Sequence, residues 1–179
     1  MLSRHISPSN KRIFRLYNCS FHHFDDETAV EILKSTIETS DGFAIIELQD
    51  RRWLCLLMMF FNIFFVLPLT PFWYTPLKDD TSRYRPKNLV RNIFTYFCIM
   101  LVLQWDGIVS CLRTREFSEF VQLIEDAAEI EGNIDINVEA SGEQSCELLG
   151  WCFREHSKIL HTWPGGYVRM FTGVRMSPS

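Results

Sequence analysis

Two adjacent histidines lie in a short loop between an apolar strand and the acidic start of a helix. The loop belongs to the stretch Cys19-Ser-Phe-His-His-Phe-Asp-Asp-Glu-Thr-Ala-Val-Glu-Ile-Leu33. Histidine titrates near neutral pH, so His22 or His23 could accept a proton from a bound group. Loops at strand ends are also where α/β proteins place their ligands. Because adjacent side chains of an extended segment point in opposite directions, one of the two histidines could instead cap or pack.

The same loop contains side chains that bind metals in other proteins. These are Cys19, His22, His23, Asp25 and Asp26. They lack the recurring pair spacing that is typical of a structural zinc site, so we predict no metal site here. The six cysteines of the chain show no paired spacing either, which favours reduced thiols in an intracellular protein.

The elements on both sides of the loop follow from the spacing of apolar residues. Residues 13–18 alternate between apolar and polar types, which predicts a strand. Asp25 or Asp26 can cap an amphipathic helix over Glu27 to Thr39, and Asp41-Gly42 should end that helix. The apolar run 43–48 predicts a parallel strand that is buried on both faces.

Glu47 lies at the carboxyl end of this second strand. Open parallel sheets place the residues of their ligand crevice there, and a cap for a helix or a loop is the alternative role of this carboxylate. Strand, helix and strand together predict a right-handed crossover unit.

The composition then changes, because the segment from Trp53 to Leu77 contains no charged residue. Its length suffices to cross a bilayer, but Pro68, Pro71 and Pro76 interrupt its second half. A second apolar run, Asn92 to Trp105, is shorter and is followed by the charge of Asp106. At about 1.5 Å per residue it falls short of a hydrocarbon core of about 30 Å.

If the strands before and after this insertion share one sheet, the insertion must return to its starting side. The basic residues between the two runs favour the cytoplasmic side, and they are Lys78, Arg83, Arg85, Lys87 and Arg91. We therefore expect a hydrophobic helical hairpin that dips into one leaflet or lies along its surface, with membrane lipid as its partner. A two-pass anchor and a pair of buried core helices are the alternatives.

The C-terminal part of the chain returns to a helix and strands. Apolar spacing predicts a helix over Glu116 to Ile130, closed by Gly132, and then an acidic surface loop or lid over Glu131 to Glu147. Trp151 to His156 and Tyr167 to Arg175 read as partners in a β-hairpin, with the turn at Pro164-Gly165-Gly166.

Several separated segments together resemble the second half of class I S-adenosylmethionine-dependent methyltransferases. They are the Ser-Phe-His-His-Phe loop, Asp41-Gly-Phe-Ala-Ile-Ile-Glu-Leu-Gln-Asp-Arg51, Trp105-Asp-Gly-Ile-Val-Ser-Cys-Leu-Arg-Thr114 and His161-Thr-Trp-Pro-Gly-Gly-Tyr167. The resemblance implies an α/β, Rossmann-like sheet that lacks its first strands and whose last strand runs antiparallel. The Gly-x-Gly loop that holds the cofactor in this family occurs nowhere in the sequence.

The resemblance also implies roles for individual residues. The loop after the family's fourth strand lies beside the cofactor and the methyl acceptor, so Ser20 and Phe21 are expected to contact S-adenosylmethionine, with His22 or His23 as the base. Glu47, Trp105, Asp106, Ser110 and Arg113 are expected to line the substrate pocket. A structural ion pair between Asp106 and Arg113 at the membrane boundary is the alternative for the last group.

The predicted organisation is one domain interrupted by the insertion. Residues 1–51 form its strand-helix-strand part, 52–112 the membrane-associated hairpin, and 113–179 the C-terminal helix and β-hairpin. The net charge of −4 and the scattered basic residues argue against a nucleic-acid partner. The N-terminus lacks the apolar stretch of a secretory signal, so we expect an intracellular, membrane-associated protein whose domain faces the cytoplasm. A partner chain that completes the sheet is a further expectation, and the alternative function is a non-catalytic membrane protein that retains half of the fold.

Overall fold

The computed structural model describes residues 12–64, 86–130 and 134–176. The chain forms two compact units: unit 1 contains the chain up to Asp50 and from Arg113 onward, and unit 2 contains Arg51–Leu112. The described residues form an α/β structure with a mixed sheet of seven strands. The assignment of these units as domains remains a prediction.

Unit 1 begins with a parallel strand pair. Strand β1 (Phe14–Asn18) is followed by a short 3-10 turn (Phe21–His23), helix α1 (Asp26–Thr39) and strand β2 (Gly42–Glu47). β1 pairs with β2 in parallel, in the register Phe14 to Gly42 and Asn18 to Ile46. The predicted strand, helix and parallel strand are therefore confirmed.

The later strands complete the sheet around β2. The remaining strands are β3 (Asn137–Val138), β4 (Gln144–Leu148), β5 (Trp151–Glu155), β6 (Ile159–Thr162) and β7 (Gly166–Arg175). The order across the sheet is β1-β2-β7-β5-β4-β3, and β6 pairs with β7 outside this path. β7 runs antiparallel to both β2 and β5, so the last strand inserts between two strands that precede it in the chain.

An aromatic core joins one face of this sheet to α1 and to helix α4 (Phe117–Ala128). The Phe120 ring stacks on the Phe171 ring at 5.1 Å, and Phe43 and Phe153 pack beside them. The Phe43 ring lies against the backbone of β7 at Gly173. A side chain at this position would clash, because a Cβ on Gly173 would lie 2.3 Å from Cε1 of Phe43. These packed rings fix the positions of the strand ends that carry the candidate site.

The opposite face of β1 is exposed. Phe14 and Leu16 are each 61% exposed. Val174, 51% exposed, lies on the same face, because it pairs with Gly42, the partner of Phe14. This apolar surface at a sheet edge is where a further strand or another chain could pack.

Unit 2 consists of two apolar helices in its described part, α2 (Trp53–Phe61) and α3 (Pro86–Arg113), of which the last residue belongs to unit 1. The amide of Gln104 donates to the carbonyl of Met59, and the buried thiols of Cys55 and Cys111 lie 3.6 Å apart. The three prolines and all five basic residues named above lie outside the described part or within the stretch whose side chains are not described.

The helix that contains the second apolar run does not end at Asp106, the charge that follows that run in the sequence. Helix α3 continues past it to Arg113, because an exposed charge on one turn does not interrupt the backbone hydrogen bonds of a helix. Phe94–Arg113 is long and apolar enough to cross a membrane by length and composition, and 17% of its apolar window is buried. The argument from length against a full crossing therefore no longer holds.

Three further predictions for unit 1 are corrected. The predicted surface loop 131–147 contains β3 and most of β4, which pairs with β5 and buries the Cys146 side chain. Helix α4 ends at a left-handed Glu129, with a φ of 55°, before Gly132 is reached. The Pro164-Gly165-Gly166 turn joins β7 to β6, a strand that the sequence did not predict because all four of its side chains are exposed.

Candidate functional site

The carboxylate of Glu47 organises the histidine loop. Oε1 accepts hydrogen bonds from the backbone N–H groups of Phe21, at 2.9 Å, and His22, at 3.2 Å. Oε2 lies 2.7 Å from Nδ1 of His22. Glu47 is 4% exposed, so this carboxylate is a buried cap of the loop and also holds an imidazole. Of the roles that the sequence left open for Glu47, the structure shows the loop cap, and the role as a crevice residue stays a prediction.

The geometry assigns the tautomer of His22. Because an ionised carboxylate only accepts hydrogen bonds, Nδ1 of His22 carries the proton, and Nε2 of the neutral ring keeps its lone pair. Nε2 has no hydrogen-bond partner among the described residues. A carboxylate that orients an imidazole in this way leaves the other ring nitrogen available as a proton acceptor.

His23 differs from its neighbour. Its side chain is exposed, and its ring packs on His22 with the ring centres 4.1 Å apart. The structure therefore brings the two candidate histidines together but gives a buried carboxylate partner to His22. Of the two, His22 is the better base candidate.

The two expected cofactor contacts occupy different environments. Ser20 is half-buried and precedes the 3-10 turn. Phe21 is 2% exposed, and its ring packs edge to face against Tyr17, Phe24 and Phe120 in the core. The Phe21 ring therefore belongs to the core, and the expected contact of Phe21 with the cofactor stays a prediction.

Arg115 holds the backbone of the histidine loop through several hydrogen bonds. Its guanidinium donates to the carbonyls of Phe21, at 3.1 Å, and Phe24, at 2.8 Å, and to Oδ1 of Asp26, at 2.8 Å. It also lies 5.2 Å from the centre of the Phe21 ring. Sequence reasoning chose Arg113 and missed Arg115, although a charged residue directly before a strongly amphipathic helix was the available signal.

A second buried arginine lies behind His22 and Glu47. Arg169 is 2% exposed; its Nη2 donates to Glu155 at 2.6 Å and to Glu116 at 3.0 Å. Burial by itself lowers the pKa of Arg169, but the hydrogen bonds to both glutamates outweigh it and raise the pKa. Nη1 lies 3.0 Å from Oε1 of Glu116 at an angle unsuited to a hydrogen bond and has no such partner in the described part of the chain.

The sequence carried one signal for this arginine. Arg169 occupies an inward position of β7, in alternation with Phe171 and Gly173, where a charged side chain requires buried partners. Its partner Glu155 comes from the neighbouring strand β5, and the sequence alone does not give the register that joins the two residues.

A cavity of about 10 Å³ lies between these groups, with His22, Glu47, Arg115 and Arg169 in its lining. That is room for about one water molecule and not for a cofactor of the size of S-adenosylmethionine. The expected S-adenosylmethionine contact therefore does not lie inside this cavity, and the cofactor expectation stays a prediction.

Cys19 closes the end of β1 beside the site. Its backbone is left-handed, with a φ of 49°, and its N–H donates to the carbonyl of Ile46 at 2.8 Å. Burial and the negative charge of Glu47 raise the pKa of the Cys19 thiol. Within the described ranges, no group of three or more His, Cys, Asp or Glu side chains is placed to hold a metal ion.

The other predicted pocket residues lie on α3. Trp105 is 71% exposed, Asp106 is exposed and Ser110 is buried, and all three belong to unit 2, whereas Arg113 belongs to unit 1. The alternative of a buried ion pair is not supported, because Asp106 and Arg113 are both exposed and about 10 Å apart along the helix axis at 1.5 Å per residue. No ion pair joins them in the described structure.

Comparisons with known proteins were made for the whole chain. No protein-family model, no curated protein and no solved structure matches it.

Proposed function

We propose that this chain carries the second half of an S-adenosylmethionine-dependent methyltransferase-like fold, attached to a membrane through unit 2. The observation that carries the proposal is the pair formed by Glu47 and His22 at the carboxyl ends of two parallel strands. A histidine oriented by a buried carboxylate is suited to remove the proton of an oxygen or nitrogen acceptor. The antiparallel last strand of the sheet also supports the proposal, because the resemblance implies such a strand.

The chain's own residues contribute proton transfer and positioning. When bound, S-adenosylmethionine supplies an electrophilic methyl group. Nε2 of His22 accepts the proton that the acceptor atom loses, and the carboxylate of Glu47 stabilises the imidazolium that forms. Arg115 holds the loop backbone so that the imidazole keeps one orientation. The acceptor class suggested by unit 2 is a lipid-soluble molecule.

The cofactor itself requires more structure than unit 1 provides. The sequence has no Gly-x-Gly, and the exposed edge and face at Phe14 and Leu16 are where further strands would join the sheet. We therefore place the cofactor loop on such strands, from a partner chain or another polypeptide segment. The proposal assigns Ser20 and the backbone of the histidine loop to the border of that site.

A methyl-transfer assay tests the proposed base. Membranes from cells that express the full chain are incubated with S-adenosylmethionine carrying a radiolabelled methyl group, and label is counted in the lipid and protein fractions. Loss of a general base lowers a rate by about 10²-fold to 10⁴-fold, so His22→Gln should remove nearly all label that exceeds the level in control membranes. His156→Gln is the matched control, because His156 bonds Thr172 away from the loop. The proposal fails if the wild-type chain adds no label.

The exposed β1 surface favours a second candidate, a non-catalytic membrane protein that binds another chain through this edge. Leu16→Lys places a charge on the exposed face. In that case the change should release a partner that co-purifies with the wild-type chain, while His22→Gln should leave the partner bound. No methyl transfer is expected under this alternative.

A further inference from the structure

The hairpin formed by β6 and β7 exposes large apolar side chains at one end of unit 1. Ile159 is 65% exposed, Leu160 48% and Trp163 83%. We name these three residues the β6–β7 tip. Single exposed apolar residues are common on protein surfaces, but three within five positions of one hairpin indicate a surface that contacts an apolar partner.

One hydrogen bond places this tip beside the carboxyl end of β2. Nε2 of His161 lies 3.0 Å from the carbonyl oxygen of Leu48, whose own side chain is 43% exposed. Leu48 is also five residues before Trp53, the first residue of α2. Five residues span at most about 18 Å, so the tip lies within a short reach of the point where the chain enters unit 2.

The second connection to unit 2 leaves from the same end of the sheet. The chain returns to unit 1 at Arg113. Two residues later, Arg115 donates to the carbonyls of Phe21 and Phe24, in the loop that follows the carboxyl end of β1. Because β1 and β2 are parallel, both connections and the β6–β7 tip lie at one end of unit 1.

We propose that the β6–β7 tip inserts into the interfacial layer of the bilayer that holds unit 2. This inference rests on the membrane attachment in the proposed function and goes beyond it by assigning a membrane contact to unit 1. Tryptophan is enriched at the membrane interface, where its ring is buried among headgroups and its N–H stays hydrated. Lys158, exposed beside Ile159, adds a positive charge suited to anionic headgroups.

Lipid is favoured over a protein partner by continuity along the chain. The residues that follow Leu48 lead directly into α2, where Trp53 is 72% exposed and Phe60 58%. The helix that returns to unit 1 contains Phe94–Arg113, which is apolar and long enough to cross a membrane. The two connections to these apolar segments both leave unit 1 at the end that carries the β6–β7 tip, so we assign lipid as the occupant of the tip.

Fluorescence of Trp163 in the full chain tests the proposal. The protein is reconstituted in vesicles of phosphatidylcholine and phosphatidylserine, with and without lipids that carry a nitroxide just below the headgroup. The emission that wild type has in excess of Trp163→Phe reports on residue 163. We expect the nitroxide lipid to quench most of this emission, while acrylamide in the water quenches little of it.

A tryptophan at the other end of the sheet is the control. Leu149 is 49% exposed in the turn before β5, far along the strands from the tip. Leu149→Trp, made in the Trp163→Phe protein, should show the reverse pattern, with quenching by acrylamide and none by the nitroxide lipid.

Each other result overturns the proposal in a distinguishable way. If the protein floats with the vesicles but acrylamide quenches Trp163, the tip lies in water and only this inference fails. If neither reagent quenches Trp163, a protein surface covers the tip. If the wild-type chain does not float with the vesicles at all, the membrane attachment in the proposed function fails, and this inference fails with it.

Discussion

At the scale of single residues, Glu47 connects structure and proposed chemistry, because one buried carboxylate satisfies two backbone N–H groups and one imidazole. The sequence predicted the importance of Glu47 from its place at a strand end. It did not predict that Phe21 is a core residue or that Arg169 is buried beside the site, because both facts depend on the register between strands and on packing by α4.

Replacing Glu47 by alanine should loosen the histidine loop. Each buried N–H group left without an acceptor costs about 1–3 kcal/mol, and every 1.4 kcal/mol corresponds to a tenfold faster amide exchange by local opening. We expect the amides of Phe21 and His22 to exchange about tenfold to a hundredfold faster in Glu47→Ala, measured by hydrogen exchange with mass spectrometry. Glu31→Ala on the exposed side of α1 is the control. Unchanged exchange in Glu47→Ala would contradict the capping role.

The thiol of Cys146 should resist alkylation in the native protein. Burial raises the pKa of Cys146 to about 11, with smaller contributions from Cys152 and Glu125. At pH 8 only about a thousandth of this thiol is ionised, and the thiolate is the reactive form. Iodoacetamide labelling followed by mass spectrometry should therefore modify Cys146 in urea but hardly in native buffer. Rapid labelling of the native protein would show that strand β4 does not bury this side chain.

At the scale of elements, local sequence signals predicted single helices and strands, but they did not predict which strands pair with each other. The alternation in β1, the cap and apolar spacing of α1 and the buried run of β2 each indicated the observed element. β3 and β6 escaped prediction because strands with exposed side chains carry no alternation of burial. Each of them forms by pairing with a neighbouring strand, β3 with β4 and β6 with β7.

The N-terminal cap of α1 predicts a pH dependence. The carboxylate of Asp25 accepts from the Thr28 N–H at 2.9 Å, and this hydrogen bonding lowers the pKa of Asp25. A lowered folded-state pKa means that the cap stabilises the fold above the ordinary aspartate pKa, and that this contribution is lost as the pH falls through the lowered value.

Thermal unfolding of Asp25→Ala should show that difference. We expect a lower midpoint than wild type at pH 6, and a difference that shrinks as the pH falls from the ordinary aspartate pKa through the lowered value. Asp135→Ala, in an exposed segment, controls for the general effect of losing a carboxylate. A difference from wild type that persists unchanged into strong acid would argue against the cap.

Arg115 should hold the loop between β1 and α1 through the shape of its guanidinium. It donates to two carbonyls and a carboxylate at once, which a single ammonium group cannot reproduce. We therefore expect both Arg115→Ala and Arg115→Lys to speed amide exchange over residues 20–26. Arg113→Ala removes an exposed charge two positions earlier and should leave exchange in the loop unchanged. If Arg115→Lys exchanged as slowly as wild type over residues 20–26, the charge of Arg115 and not the shape of its guanidinium would hold the loop.

At the scale of the whole molecule, the chain combines an α/β unit whose sheet has an exposed edge with a unit of apolar helices. The change in composition after Arg52 indicated the apolar segment, but the length of α3 was underestimated because a charged residue was taken as its end. Under the proposed function, unit 2 attaches the chain to a membrane and unit 1 supplies the Glu47–His22 pair as the base for a lipid-soluble acceptor.

Binding of S-adenosylmethionine by the intact protein in its own membranes tests this account most directly. Labelled S-adenosylmethionine is titrated onto membranes with the full chain and onto matched membranes without it. The account predicts additional saturable binding that S-adenosylhomocysteine displaces and that His22→Gln retains, since His22 serves the acceptor's proton and does not hold the cofactor. Absence of any saturable binding above the matched membranes would contradict the methyltransferase account and favour the non-catalytic membrane protein.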